Sequence, residues 1–213
     1  MKPFILVLAG VNGAGKSSVL GQALLHAHGL PWFNPDTYAR ELVQQHGVAP
    51  VLANARAWQF GRQRLEAALQ AGHNHAFETT LGGRTITRLL LQAARTHDVN
   101  MLFCGLTSPE LHLARIAERV VHGGHDIPED KVRERFNASR LNLIALLPHL
   151  AQLQVFDNSA TVAPGAPIAN PRLLLHLAHG RVLQPDRQDA HALAAMPDWA
   201  RPVVQAALEL SQA

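Results

Sequence analysis

Residues 4–17 read FILVLAGVNGAGKS, six apolar residues followed by a glycine-rich octapeptide. That octapeptide, Gly10 to Ser17, fills every fixed position of the pattern G-x-x-x-x-G-K-[ST]. The apolar run before it and the amphipathic SSVLGQALLHAH after it predict a strand, a tight loop and a helix, in that order. In such a loop, glycines let backbone N–H groups turn inward around an anion, and the helix behind adds the positive end of its dipole. Gly10, Asn12, Gly13, Ala14, Gly15, Lys16, Ser17 and Ser18 are therefore read as a cradle for the phosphates of a nucleoside triphosphate such as ATP. Lys16 would reach the β- and γ-phosphates, and Ser17 would ligate Mg2+.

Outward from the cradle, apolar runs at 75–79, 99–106 and 153–157 are short and separated by helical spacing. Helices are predicted over 15–28, 35–46, 51–71, 84–97, 109–121 and 129–151. This rhythm predicts an α/β fold, a P-loop-type, mostly parallel sheet of about five strands wrapped by helices. Residues 158–171, NSATVAPGAPIANP, read as a surface connection, His179-Gly180 as the turn of a small hairpin, and 199–212 as a closing helix. The expectation is one domain over 1–213, with a lid at about 119–135 and a C-terminal extension at about 160–213.

A chain of 213 residues, 47% hydrophobic and 16% charged, has the length and composition of a globular protein with one substantial core. No apolar run is long enough to span a bilayer, so no membrane role is expected. The N-terminal apolar run leads into the glycine loop without a small-residue cleavage site and reads as a buried strand. Cys104 is the single cysteine, which excludes an internal disulfide and fits a reducing cytoplasm; within MLFCGL it reads as a small buried hydrophobe. Although the sequence pI is about 9.6, the net charge is only +3 and the arginines are scattered, so nucleic acid is an unlikely partner.

Switches, motors and kinases all use such a cradle. The later strands HAFETT and NMLFCGL do not end in the Asp of many ATPases, and lysine occurs only at 2, 16 and 131, which leaves no guanine-reading N-K-x-D. These absences point to a small-molecule kinase, which needs a carboxylate to take the acceptor's hydroxyl proton. Asp36, in PWFNPDTYAR, follows the place of a second strand and is a candidate base or outer-shell magnesium contact. The same acid also suits a helix start, with Asn34 as N-cap and Pro35 at the first position.

Glu78 ends the strand HAFET at the carboxyl edge of the sheet, where ligands bind; otherwise it is a rim carboxylate, solvated or paired with Arg84. Thr79 and Thr80 could bond the acceptor, with Gly82 and Gly83 turning the chain beneath it. The segment 118–136, ERVVHGGHDIPEDKVRERF, reads as a lid that would carry arginines onto the transferring phosphoryl group, Arg119 first and then Arg133, with Arg135 close by. The competing reading pairs these arginines with Glu118, Glu129 and Glu134. Asp157 and Asn158, in FDNS, are candidate adenine contacts.

The ordered set GVNGAGKSS, NPD, FETTLGG, ERVVHGGHDIP and VFDNS resembles the zeta toxin family of P-loop kinases, notably its shorter bacterial members, over about residues 3–160. The resemblance implies ATP and Mg2+ as cofactors and a nucleotide sugar such as UDP-N-acetylglucosamine as the hydroxyl acceptor. It also implies Lys16 as the phosphate-binding lysine, Ser17 as the magnesium ligand, Asp36 as the base and Glu78 as an acid facing substrate. Arg119 resembles the first lid arginine, and Arg133 or Arg135 the second. An antitoxin-like protein is a further partner that the resemblance implies. An ATP-binding regulator with slow hydrolysis and a polynucleotide kinase are the alternatives.

Overall fold

The computed structural model describes residues 2–21, 32–161 and 169–212, with the side chains of 18–20 left outside the description. Six strands form one sheet in the order β2-β1-β3-β4-β5-β6. They are β1 (Phe4–Ala9), β2 (His75–Thr79), β3 (Asp98–Gly105), β4 (Gln152–Asp157), β5 (Arg172–Ala178) and β6 (Arg181–Gln184). The first four are parallel, and β5 and β6 are added antiparallel. The helices are α1 (Lys16–Gly21), α2 (Pro35–His46), α3 (Pro50–Ala71), α4 (Arg84–Ala93), α5 (Pro109–Val121), α6 (Glu129–Leu146), α7 (Ala190–Ala194) and α8 (Arg201–Leu210). This is the expected α/β architecture, with one strand more than predicted because the C-terminal hairpin adds two strands to the main sheet while the expected second strand is lost. Its turn is the predicted one: His179 and Gly180 take φ of 47° and 74°, the left-handed pair that a two-residue hairpin requires.

The expected second strand shrinks to one bridge. Phe33 pairs with Phe77, its N–H donating to Ala76 O at 2.9 Å and its carbonyl accepting from Glu78 N at 2.9 Å. The strand can go no further because Asn34 and Pro35 start a helix at once. Asn34 Oδ1 accepts from the N–H groups of Asp36 and Thr37, at 2.8 and 3.2 Å, satisfying two of the four orphan donors at a helix start. The predicted helix over 15–28 is described to Gly21, and its remainder lies outside the described residues, as do residues 162–168 of the predicted connection over 158–171.

Alternation along β1 sorts the core onto two faces of the sheet. Ile5, Val7 and Ala9 belong to the main cluster, with Leu90 of α4, Leu143 of α6 and Val203 of α8. Leu8 points to the opposite face with Ala14 and Cys104, beneath the glycine loop. Leu143 is fully buried, and truncating it to alanine would cost about 2–5 kcal/mol. Helices α2 and α3 approach through Ala39, Ala53 and Ala57, whose small side chains let the two backbones lie close. Every parallel strand thus ends on the side where the glycine loop, Phe33 and Glu78 sit, so sheet geometry gathers the chemistry-bearing residues along one edge.

Candidate functional site

Gly13 and Gly15 take φ of 82° and 84°, a conformation that bends the loop's N–H groups inward. The loop is braced from three sides. Asn158 Nδ2 donates to Ala14 O at 2.9 Å, Cys104 Sγ donates to the same carbonyl at 3.1 Å, and His112 Nδ1 meets Asn12 O at 2.8 Å. Since the acceptor is a carbonyl, His112 carries its proton on Nδ1, which leaves Nε2 buried without a hydrogen-bond partner among the described residues. Burial pushes His112 down to about 4, against the help of its bond to Asn12, with Lys16 and Arg115 lowering it further. Burial raises the Cys104 thiol to about 12, so it is a packing group and not a nucleophile.

Lys16 is buried, with Nζ 3.3 Å from Val11 O and 3.4 Å from Glu78 Oε1. Ser17 Oγ donates to Glu78 Oε2 at 2.6 Å, and Asn34 Nδ2 donates to the same oxygen at 2.9 Å. Glu78 is therefore no solvated rim acid paired with Arg84. It is 8% exposed and bound to the cradle's lysine and serine. Asp36 stands two residues beyond Asn34, its side chain 36% exposed, with His125 Nε2 4.0 Å from Oδ1.

The other predicted residues divide. Thr79 and Thr80 line the same space, but their hydroxyls accept from Leu81 N at 3.0 Å and Gly82 N at 3.4 Å, shaping the turn. Arg119 donates through Nη2 to His125 O at 3.0 Å, and its buried Nε meets no hydrogen-bond partner among the described residues. Arg133 turns outward to Glu110 and Glu129, at 2.7 and 2.8 Å. Arg135 is the arginine of α6 that reaches the cradle, Nη1 donating to Asn12 Oδ1 at 2.8 Å. Its stem crosses Gly82, where a Cβ would fall 2.7 Å from Arg135 Cγ, and Arg119 crosses Gly124 at the same distance. Asp157 faces away from the cradle, accepting from Ser159 Oγ and from Trp199 Nε1, so Asn158 alone of the pair lines it. The Ser18 side chain lies outside the described residues.

Two cavities meet here. One, of about 650 Å3, runs from the cradle past Arg115, Arg119 and Asn158 to Ala160. The other, of about 380 Å3, lies between α3, the β2–α4 turn and residues 125–135. Asn12, Lys16, Asn34, Asp36 and Glu78 line both. The second cavity also exposes residues that sequence reading missed, Asn54, Trp58 and Arg62 of α3. Their i, i+4, i+8 spacing is a legible signal of a shared helix face, but only the fold shows that the face looks into a cavity.

A family model described as "AAA domain" matches residues 5–143. Among solved structures, the protein is similar to a candidate kinase from Chloroflexus aurantiacus, with 19% identity, coverage of 66% of this chain and 80% of that one, and a TM-score of 0.51. It is also similar to AvrRxo1-ORF1 in its complex with ORF2 and ATP, with 17% identity, coverage of 99% and 81%, and a TM-score of 0.62. A third likeness is to the PezAT toxin-antitoxin system of Streptococcus pneumoniae, with 18% identity, coverage of 73% and 68%, and a TM-score of 0.56. At these identities the shared property is the kinase-like P-loop fold.

Proposed function

The chain belongs to the AAA-domain family, and from that premise we propose that it is an ATP- and Mg2+-dependent kinase acting on the hydroxyl of a small molecule. The observation that carries this reading is the meeting of two cavities at Lys16, Asp36 and Glu78. One is lined by the phosphate cradle and basic side chains, which suit a triphosphate, and the other is a separate chamber for an acceptor. A switch or a simple hydrolase has no use for the second chamber.

In this reading Asp36 takes the proton from the acceptor hydroxyl as its oxygen attacks the γ-phosphorus. The bond from that phosphorus to the β–γ bridging oxygen breaks, and ADP leaves. Lys16, Arg119 and Arg135 face the charge that builds on the phosphoryl oxygens. Arg135 replaces Arg133 in this role because it is the one that bonds the cradle. The hard oxygen donors Ser17 Oγ and Glu78 Oε2, 2.6 Å apart, fit Mg2+, which favours few protein oxygens plus phosphate and water. When bound, the ion would neutralise phosphate charge, with Ser17 as ligand and Glu78 holding it directly or through water. Glu78 so serves the cradle at least as closely as it serves the acceptor.

UDP-N-acetylglucosamine is the first acceptor to test, on the resemblance to zeta toxins. An antitoxin-like partner is proposed on the same resemblance and on the fold shared with PezAT. The whole chain is proposed to act as one kinase unit. Incubation with γ-labelled ATP and a panel of nucleotide sugars, small alcohols and oligonucleotides tests the reading. Label in a small hydroxyl compound is expected; label only in inorganic phosphate, with ATP bound, would favour a regulator, and label in oligonucleotide a polynucleotide kinase.

A further inference from the structure

Helix α3 borders the acceptor cavity with one face, on which Asn54, Trp58 and Arg62 follow one another at single-turn intervals. Between them sit Ala57 and Gly61, small residues that let the cavity run up to the helix backbone. A side chain at Gly61 would strike the Phe33 ring, with Cβ 2.6 Å from Cε1. Trp58 keeps half of its surface exposed at this wall, and Arg62 Cζ stands 5.9 Å from its ring centroid. A half-exposed tryptophan beside an arginine at a cavity wall is the combination that dominates recognition surfaces.

The cavity's cations are not equally committed. Lys16 is held by Glu78 at 3.4 Å, Arg135 by Asn12 at 2.8 Å and Lys131 by Glu134 at 2.8 Å. Arg62 has one long ion pair, 3.7 Å to Glu66, beside its ring contact with Trp58, and among the described residues its buried Nε meets no hydrogen-bond partner. Its contacts among the described residues are the longest of the four, and its terminal N–H groups stand beside Trp58 at the cavity wall. Asp36 and Glu78 lie at the other end of the same cavity, at the cradle, so the wall formed by α3 is where the remainder of an acceptor would rest once its hydroxyl reached Asp36.

We propose that Asn54, Trp58 and Arg62 form the acceptor-recognition surface, and that the acceptor carries a ring that packs on Trp58 and an anionic group that Arg62 binds. This rests on the kinase reading for the word acceptor. The binding claim itself is independent of turnover. Guanidinium groups grip phosphate or carboxylate through paired N–H donors, and the indole face takes either a sugar or a base.

The test uses the full chain loaded with Mg2+ and a non-hydrolysable ATP analogue, so that the nucleotide side is filled. Glucose, glucose 6-phosphate, glucuronate, adenosine and AMP are titrated against tryptophan fluorescence. At least one anionic probe is expected to bind about tenfold or more tighter than its neutral counterpart and to perturb the emission. Trp58→Leu should remove the fluorescence change. Arg62→Gln should abolish the anionic preference, and Arg62→Lys should restore part of it, while affinity for the ATP analogue stays unchanged in all three. The phosphate and carboxylate probes distinguish the two anions. Equal affinity for charged and neutral probes, or a preference that survives Arg62→Gln, overturns the proposal. Failure of label transfer to every acceptor while the Arg62-dependent preference persists would instead overturn the kinase reading and leave this one standing.

Discussion

Asn34 Nδ2 donates to Glu78 Oε2 at 2.9 Å, while Oδ1 of the same amide caps helix α2 through the N–H of Asp36 at 2.8 Å. One side chain therefore ties the cradle's buried acid to the helix start that carries the candidate base. Asn34 couples helix capping to the placement of Asp36 beside Glu78 through two contacts, and mutation can separate them.

Asn34→Asp keeps a cap acceptor but loses the amide donor and sets a second carboxylate beside Glu78. Asn34→Ala loses both functions. The alanine variant should lose about 1–2 kcal/mol of stability in urea unfolding. Both should show reduced phosphoryl transfer, and the aspartate variant should do so at a cap strength close to wild type. Equal transfer by Asn34→Asp and wild type would disconnect Glu78 from the placement of Asp36.

Glu78→Gln leaves the Lys16 charge buried beside a neutral amide. The variant without nucleotide should unfold at lower urea, by about 3–5 kcal/mol, because removing one member of a buried pair strands the other. Half-maximal transfer should also require more Mg2+ than in wild type. Titration of Mg2+ against initial rate checks the second outcome, and an unchanged requirement would remove Glu78 from the magnesium side.

Arg135 and Arg133 are two positions apart on α6 and so point in roughly opposite directions around the helix. Arg135→Ala should lower kcat by about 100-fold or more, the scale for losing one donor to transition-state charge. Arg133→Ala, which breaks only surface pairs, should change it by less than about threefold. Steady-state kinetics on the two variants decides the assignment.

His112 and His75 are both held near 4 against an ordinary value of 6.5, chiefly by burial, with Arg64 adding to the effect on His75. Between pH 6.5 and 4 the unfolded chain binds protons that the folded chain refuses. Stability should therefore be full above about pH 6.5 and fall as pH drops through that window, by at most about 1.4 kcal/mol per pH unit for each histidine. Urea unfolding at pH 7.5 and 5.5 measures the slope, and His112→Gln should flatten it.

Much of the fold was legible because β1 and the glycine loop fix a strand–loop–helix unit, and short apolar runs spaced by amphipathic helices admit few other sheets. The second strand was expected in the right place but too long, since Trp32 and Phe33 are cut short by the helix start at Asn34-Pro35 and only Phe33 pairs with β2. At the candidate site, motif and strand-end position nominated Lys16, Ser17, Asp36 and Glu78, which the fold brings together. The partner of Glu78 could not be found this way, because Ser17 is 61 residues away in sequence and only the β1–β2 register brings them together. Arg133 and Arg135 were indistinguishable as text because helix phase is set by what α6 packs on, here Val132 and Leu143 against the core. Trp58 and Arg62 were not singled out in the sequence, because only the fold shows the cavity beside their helix face.

The central claim is that Asp36 activates an acceptor hydroxyl for attack on bound ATP. It is tested most directly by comparing Asp36→Asn with wild type, in initial rate of label transfer from γ-labelled ATP to the best acceptor of the panel and in ATP affinity. The account predicts a fall in rate of about 100- to 10,000-fold with ATP affinity changed less than about threefold. Transfer by Asp36→Asn at the wild-type rate would contradict it.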